Sequence, residues 1–146
     1  MYICAGCWNR NCKCGENRYV DIDDEMVEIV TVLNQKGYET RNCCAGHMEH
    51  AEGIPQPMTT YVQFFKTYQF PVIPQRFVLK KQETEDGYVH NVIRSISLEF
   101  DKNNGYYVKD KSILLYQAQL ENERLISIRE LKEWANGLPV NNEKVV

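Results

Sequence analysis

The sequence predicts an α+β fold. It is a mostly antiparallel sheet with one helix before it and two after it, carrying a cysteine-rich zinc-binding arm at the front. Three observations carry that prediction. Apolar side chains recur at helical spacing over residues 23–36 and again in the last third of the chain. Between these stretches the pattern alternates and is broken by turn residues. Cys4, Cys7, Cys12 and Cys14 crowd an opening segment with little apolar content. Strands grouped together, rather than alternating with helices, belong to an α+β chain and not to a doubly wound one.

The 146 residues are one domain's length, read as a single unit 1–146 with arm 1–18 and body 19–146. Such a chain buries roughly two-thirds of its unfolded surface, enough for a core without staples. Composition is globular, 43% hydrophobic and 25% charged. The net charge of −3 argues against non-specific nucleic-acid binding, which wants a positive surplus. A small anionic ligand needs only a few local cations and stays open. No run of about 18 apolar residues is present, so no membrane span is expected. The opening MYICAGCWNRNCKCG lacks the basic and apolar regions of a secretory signal. A cytoplasmic protein is therefore expected, with thiols that stay free or hold metal.

Residues 1–18 cannot build a hydrophobic core of their own, so something else must order them. The stretch VDIDDEMVEIVTVLNQKGY then predicts a helix over about 23–36. Asp21 or Asp23 caps it, and acids crowd its first turn, where the helix dipole favours them. Met26, Ile29, Val30 and Leu33 form its apolar stripe, and Gly37 ends it. Residues 38–44 read as a strand running into the loop CAGH. TTYVQFFKTY alternates Thr60, Val62 and Phe64 against Tyr61, Gln63 and Phe65, a strand covered on both faces. The prolines of FPVIPQ make it an extended connector. FVLKKQ and VIRSISLEF flank EDG as a hairpin, and FDKNNGYY suggests another turn. Ile113, Tyr116 and Leu120 share a helical face. Ser127 with Glu130 forms a capping box, and Ile126 with Leu131 a hydrophobic staple, so a second C-terminal helix is expected to start there and end at Gly137 and Pro139.

The arm spells C-x2-C-x4-C-x-C. Thiolates are soft donors, and four around Zn²⁺ make a closed structural site carrying a charge of about −2. Arg10, Lys13 and Arg18 lie near enough in sequence to offset that charge. Metal binding would supply the order that the arm's composition withholds. The bland alternative is a mobile, cysteine-rich terminus. A second wiring competes, because Cys4-Ala-Gly-Cys7 and Cys44-Ala-Gly-His47 together spell an ordinary ligand set and leave Cys12 and Cys14 spare.

The loop RNCCAGHMEH admits several readings. Adjacent Cys43 and Cys44 point to opposite faces of a strand, so one is buried and the other faces the loop. Cys44 is then a small hydrophobe and Gly46 a turn residue, or Cys44 and His47 form a nucleophile–base pair. In a third reading, loop N–H groups and Arg41 grip an anion while His47 donates to a phosphate. Arg94 shares its alternation with Val92, Ile96, Leu98 and Phe100, and an arginine there needs an acid, a ligand or solvent. Arg76 is a further phosphate candidate. An aromatic of the run YVQFFKTYQF, Tyr61 foremost, would stack on a base, although such runs also serve as core or subunit interface. No P-loop, dinucleotide fingerprint, HExxH or GxSxG is present.

The segment GYETRNCCAGH followed by TYVQFF resembles a group of small proteins carried by bacteriophages and prophages of Firmicute-like bacteria. These have a helix, then Gly-Tyr-x-Thr-x-x-Cys-Cys-x-Gly-His, then a Tyr-Val/Ile-x-Phe strand. The match runs through Gly37, Tyr38, Thr40, Cys43, Cys44, Gly46, His47, Tyr61 and Phe64. The resemblance implies a phage source and action by binding, such as sequestering a host signalling nucleotide or capping a host protein. The expectation is a zinc-braced binding protein, oligomeric through its aromatic strands. It would hold a small anionic, nucleotide-like ligand on Arg41, Cys44, Gly46, His47, Tyr61 and Arg94. A Cys/His- or zinc-dependent enzyme acting on a nucleotide or RNA, and a zinc-braced interaction module, are the alternatives.

Overall fold

The computed structural model describes residues 1–9, 11–16, 18–46, 49–51, 54–56, 59–96 and 110–141, with the side chains of 49–51, 54–56 and 110–117 excepted. It is an α+β fold with antiparallel strand pairing throughout these residues. Strands β1 (Tyr2–Cys4) and β2 (Tyr19–Asp21) pair as a small ribbon. A 3₁₀ turn, Asp24–Met26, leads into helix α1 (Val27–Gln35). Strands β3 (Thr40–Cys44), β6 (Tyr61–Phe64), β7 (Phe77–Glu83) and β8 (Val89–Ser95) form the main sheet in the order β3-β6-β8-β7. Between β3 and β6 lies a second ribbon, β4 (Glu49–Ala51) with β5 (Ile54–Gln56). Helix α2 (Asp110–Gly137) follows the sheet.

Helix α1 buries the stripe its spacing predicts: Met26, Ile29, Val30 and Leu33 are all sealed from solvent. Asp23 occupies the N-cap position but makes no side-chain cap bond. Its Oδ2 instead accepts the Ala45 N–H at 2.9 Å, tying the helix start to the loop after β3. Gly37, at φ +91°, turns the chain out of α1 in the left-handed conformation glycine tolerates. Lys36 caps the far end of the other helix. Its Nζ donates to the carbonyls of Ala135, Asn136 and Leu138 at 3.0, 2.7 and 2.6 Å. Those carbonyls lack partners within the helix, and a cation suits the negative end of its dipole.

The expectation of two C-terminal helices is corrected to one. Ser127 and Glu130 lie inside α2, and Ser127 is buried. Residues 110–136 contain no Gly or Pro to break the helix. Leu120, Ser127, Leu131, Trp134 and Leu138 fall on one buried stripe, so packing carries the helix past its internal start signal. The side chains of Ile113 and Tyr116, and the turn predicted in FDKNNGYY, lie outside the described residues.

In the main sheet, Cys43, Val62 and Ile93 pair across β3, β6 and β8 and pack into the core. Alternation sends the neighbouring row, Cys44, Tyr61 and Arg94, to the opposite face. Gly87, at φ +84°, closes the predicted EDG hairpin, with the Thr84 N–H bonded to the Tyr88 carbonyl at 2.8 Å. Arg76 pairs with Glu123 of α2, a structural use in place of a phosphate contact. One core cluster runs from Ile3 to Leu138. Ile3 is 2% exposed within it and Trp8 packs against it. The arm is thus anchored by its own side chains as well as by the β1–β2 ribbon, which its polar composition conceals.

Candidate metal centre

The first turn after β1 is built around Cys4. The Trp8 N–H bonds to the Cys4 carbonyl at 2.7 Å, and the Gly6 N–H reaches Cys4 Sγ at 3.3 Å. This turn points the Cys4 sulfur toward the returning segment, 3.9 Å from Cys14 Sγ. The returning segment brings Cys12 and Cys14 to the same place, with the Cys12 N–H donating to Tyr19 Oη at 3.0 Å. Gly15, at φ +81°, makes the bend that follows.

The sulfurs of Cys4, Cys7, Cys12 and Cys14 all lie within 4.8 Å of one another. Cys4 and Cys14 are 3.9 Å apart, and Cys12 and Cys14 3.3 Å. Tetrahedral Zn–S bonds of about 2.3 Å give sulfur–sulfur edges of about 3.8 Å. None of the six cysteines of the chain is in a disulfide in the structure. The four cysteines therefore form a cluster able to hold a metal ion, and the donor set fits a closed tetrathiolate site.

Electrostatics within the cluster is uneven. The Lys13 amide pulls the Cys7 thiol below its ordinary value. The Glu16 amide favours the Cys14 thiolate, but Cys12, burial, Cys7 and Cys4 together push that thiol up to about 12. Four thiols in one small volume cannot all ionise unaided, and a cation removes that conflict. Arg18 does not serve as the counter-charge, because it is paired with Glu16 at 2.8 Å. Arg10 lies outside the described residues.

The rival wiring gains one likeness and no closure. Gly46 donates to Cys44 Sγ at 3.3 Å, the same turn geometry as Gly6 on Cys4. Among the described residues, however, the metal-competent group consists of the four arm cysteines and does not include Cys44. His47 lies outside the described residues. Cys43 is the inward-facing cysteine, its thiol pushed up to about 12 by burial, then by Asp23 and Cys44. The described N–H groups of the loop expected to cradle an anion have partners within the chain. The Ala45 N–H is taken by Asp23 and the Gly46 N–H by Cys44 Sγ. The Ala45 carbonyl is held by Thr60 Oγ1 at 3.1 Å. These bonds hold the described part of the loop in place.

A cleft of roughly 840 Å³ lies between the arm and the body. Cys7 and Trp8 of the arm form one wall, and Asn34, Arg41 and Phe65 belong to the others. Of the six predicted ligand residues, Arg41 alone lines it among the described residues. Cys44, Tyr61 and Arg94 are brought together elsewhere, as the row on the outer sheet face. Burial raises the Tyr61 hydroxyl above its ordinary value, with Cys44, Cys43 and Asp23 adding to the effect. Trp8 is marked by no ligand motif in the sequence, and Phe65 only as one aromatic of the run YVQFFKTYQF. The signal for Trp8 was a large aromatic set directly after a cysteine pair, at φ +56° in the structure.

No helix among the described residues is long and apolar enough to cross a membrane. No protein-family model, curated protein or solved structure matches this chain.

Proposed function

We propose that this chain is a zinc-braced binding protein of the bacteriophage kind. It sequesters a small anionic, nucleotide-like ligand in the cleft between arm and body without converting it. The observation that carries the reading is the cleft itself, one wall of which is the segment that bears the thiol cluster. Trp8 and Phe65 offer aromatic faces, and Arg41 offers a guanidinium group suited to phosphate. Three acids also line the cleft, but two are engaged. Asp21 pairs with the Met1 ammonium at 2.9 Å, and Asp23 accepts the Ala45 N–H. That leaves Glu39 as the acid opposing an anion.

Zinc is the proposed ion because four thiolates in a tetrahedral set suit a borderline-soft, redox-inert cation. Its role is to fix the Cys7–Trp8 wall, so metal loss and ligand loss go together. The phage source rests on the resemblance around GYETRNCCAGH. Cytoplasmic residence and self-association through the aromatic strands are parts of the same proposal.

The test is direct. The purified protein is incubated with a panel of cyclic and linear nucleotides, washed, denatured, and the released material analysed. Recovery of an intact nucleotide, abolished by Trp8→Ala and by zinc removal, is the expected result. Recovery of a converted nucleotide would assign an enzyme instead, and no retention at all would leave an interaction module.

A further inference from the structure

The sheet face turned away from the helices carries a polar groove of roughly 590 Å³ that the thiol cluster does not touch. Its most buried lining residue is His90 on β8, which is 2% exposed. Neighbouring strands hold the ring. The Gln63 side-chain nitrogen lies 2.7 Å from His90 Nε2, and Gln82 Oε1 lies 3.3 Å from the same atom. The Tyr88 ring stacks on the imidazole at 6.0 Å with planes 23° apart.

Nε2 carries either a lone pair or a proton, so it bonds one glutamine group at a time, the nearer being Gln63, and the other ring nitrogen decides what the site lacks. Nδ1 is buried and has no hydrogen-bond partner among the described residues. If Nε2 accepts from Gln63, the neutral ring carries its proton on Nδ1. A buried donor is then left without an acceptor, which native interiors avoid.

Arg41 stands at the rim. Strand β3 shifts register between Thr40 and Asn42, so Arg41 is the residue left out of the ladder with β6. A bulge of this kind re-aims the side chain it carries. Arg41 is exposed and makes no ion pair with a described residue. Gln82, exposed on the edge strand β7, adds an amide NH₂ beside it. Glu83 is the acid of the lining, and it sits exposed, where water and salt screen it.

We infer that this groove is a second binding site, for an oxyanion of the phosphate class, held between Arg41 and Gln82 beside His90. The lining supplies a guanidinium and amide groups over the buried His90 ring, and a phosphate oxygen is an acceptor that suits such donors. The site does not depend on the arm cleft for its ligand, although Arg41 and Asn42 line both hollows.

The experiment is a titration of the metal-loaded full chain, following the His90 ring resonances by NMR. Inorganic phosphate should shift them saturably. Arg41→Met and Gln82→Leu, both at exposed positions, should each weaken that binding about tenfold, the loss expected for one charge-assisted contact. Trp8→Ala and Phe65→Ala, which strip the arm cleft, should leave phosphate affinity at His90 unchanged; Arg41 lines both hollows, so it is Gln82→Leu, outside the arm cleft, that makes the two sites fail separately. Adenosine 5′-monophosphate competing with phosphate at His90 would assign the oxyanion to a nucleotide. Indifference to it would assign the free ion, and the site stands either way. The inference is overturned if phosphate gives no saturable shift, if both variants bind as the wild type does, or if adenosine alone moves the resonances equally.

Discussion

A Cβ at Gly6 would meet Glu16 Oε2 at 2.4 Å and Glu16 Cβ at 3.0 Å, so the exposed Glu16 side chain would have to swing aside. The Gly6 amide reaches Cys4 Sγ at 3.3 Å in the turn that carries the first half of the cluster. Single thiol losses should act in the same place. Cys12→Ser or Cys14→Ser should release the metal and leave the core intact, whereas Cys44→Ser should keep it; metal content measured on purified variants distinguishes them. Cys43 makes a different prediction. Burial raises its thiol from 9.0 to about 12, so it is neutral in the fold where the unfolded chain would ionise. Its contribution to stability is complete below pH 9 and is lost as pH climbs from about 9 through about 12. Denaturant melts should show the wild type losing stability relative to Cys43→Ala between about pH 8 and about pH 10.5. A constant gap across that range would contradict the burial. Lys36 binds three carbonyls at the end of α2. Lys36→Met should lower unfolding free energy by about 1–2 kcal/mol, read by the same melts.

At the level of elements, α2 is the informative case. Its sequence contains a start signal in mid-course, yet the buried stripe from Leu120 to Leu138 runs straight through it. An N-cap Ser→Ala costs about 1 kcal/mol, while the same change inside a helix restores propensity and costs little. Ser127→Ala should therefore change stability by less than about 0.5 kcal/mol, measured by chemical denaturation. A loss near the full capping value would restore the break. Other elements were plain in the residues. The stripe Met26, Ile29, Val30 and Leu33 predicted α1, and the EDG turn predicted the β7–β8 hairpin. What could not be read was register. The bulge that frees Arg41 depends on pairing with β6, and the engagement of the Ala45 N–H depends on Asp23, 22 residues away in sequence. Local pattern carries no record of either, so the partners of the Ala45 and Gly46 N–H groups could not be read from the loop itself.

For the molecule as a whole, the arm and the body share one hydrophobic cluster and meet across the cleft. Ile3 and Trp8 give the arm more hold than its composition suggested, so a metal would stiffen a segment already docked. The cysteine spacing made the cluster legible, because four thiols within eleven residues have few ways to avoid each other. The cleft was not legible, since Trp8, Arg41 and Phe65 meet only through the tertiary fold. Chelation should therefore loosen residues 4–14 and leave α1 and the main sheet protected, as hydrogen exchange would report. Loss of protection throughout the chain would mean that the metal holds the fold and not the arm alone. The central claim is that the four arm sulfurs hold an ion. Its most direct test is elemental analysis combined with native mass spectrometry of the chain purified without added metal. The account predicts one zinc per chain, retained on desalting and absent from Cys12→Ser; a metal-free wild type with its arm thiols reduced would contradict it.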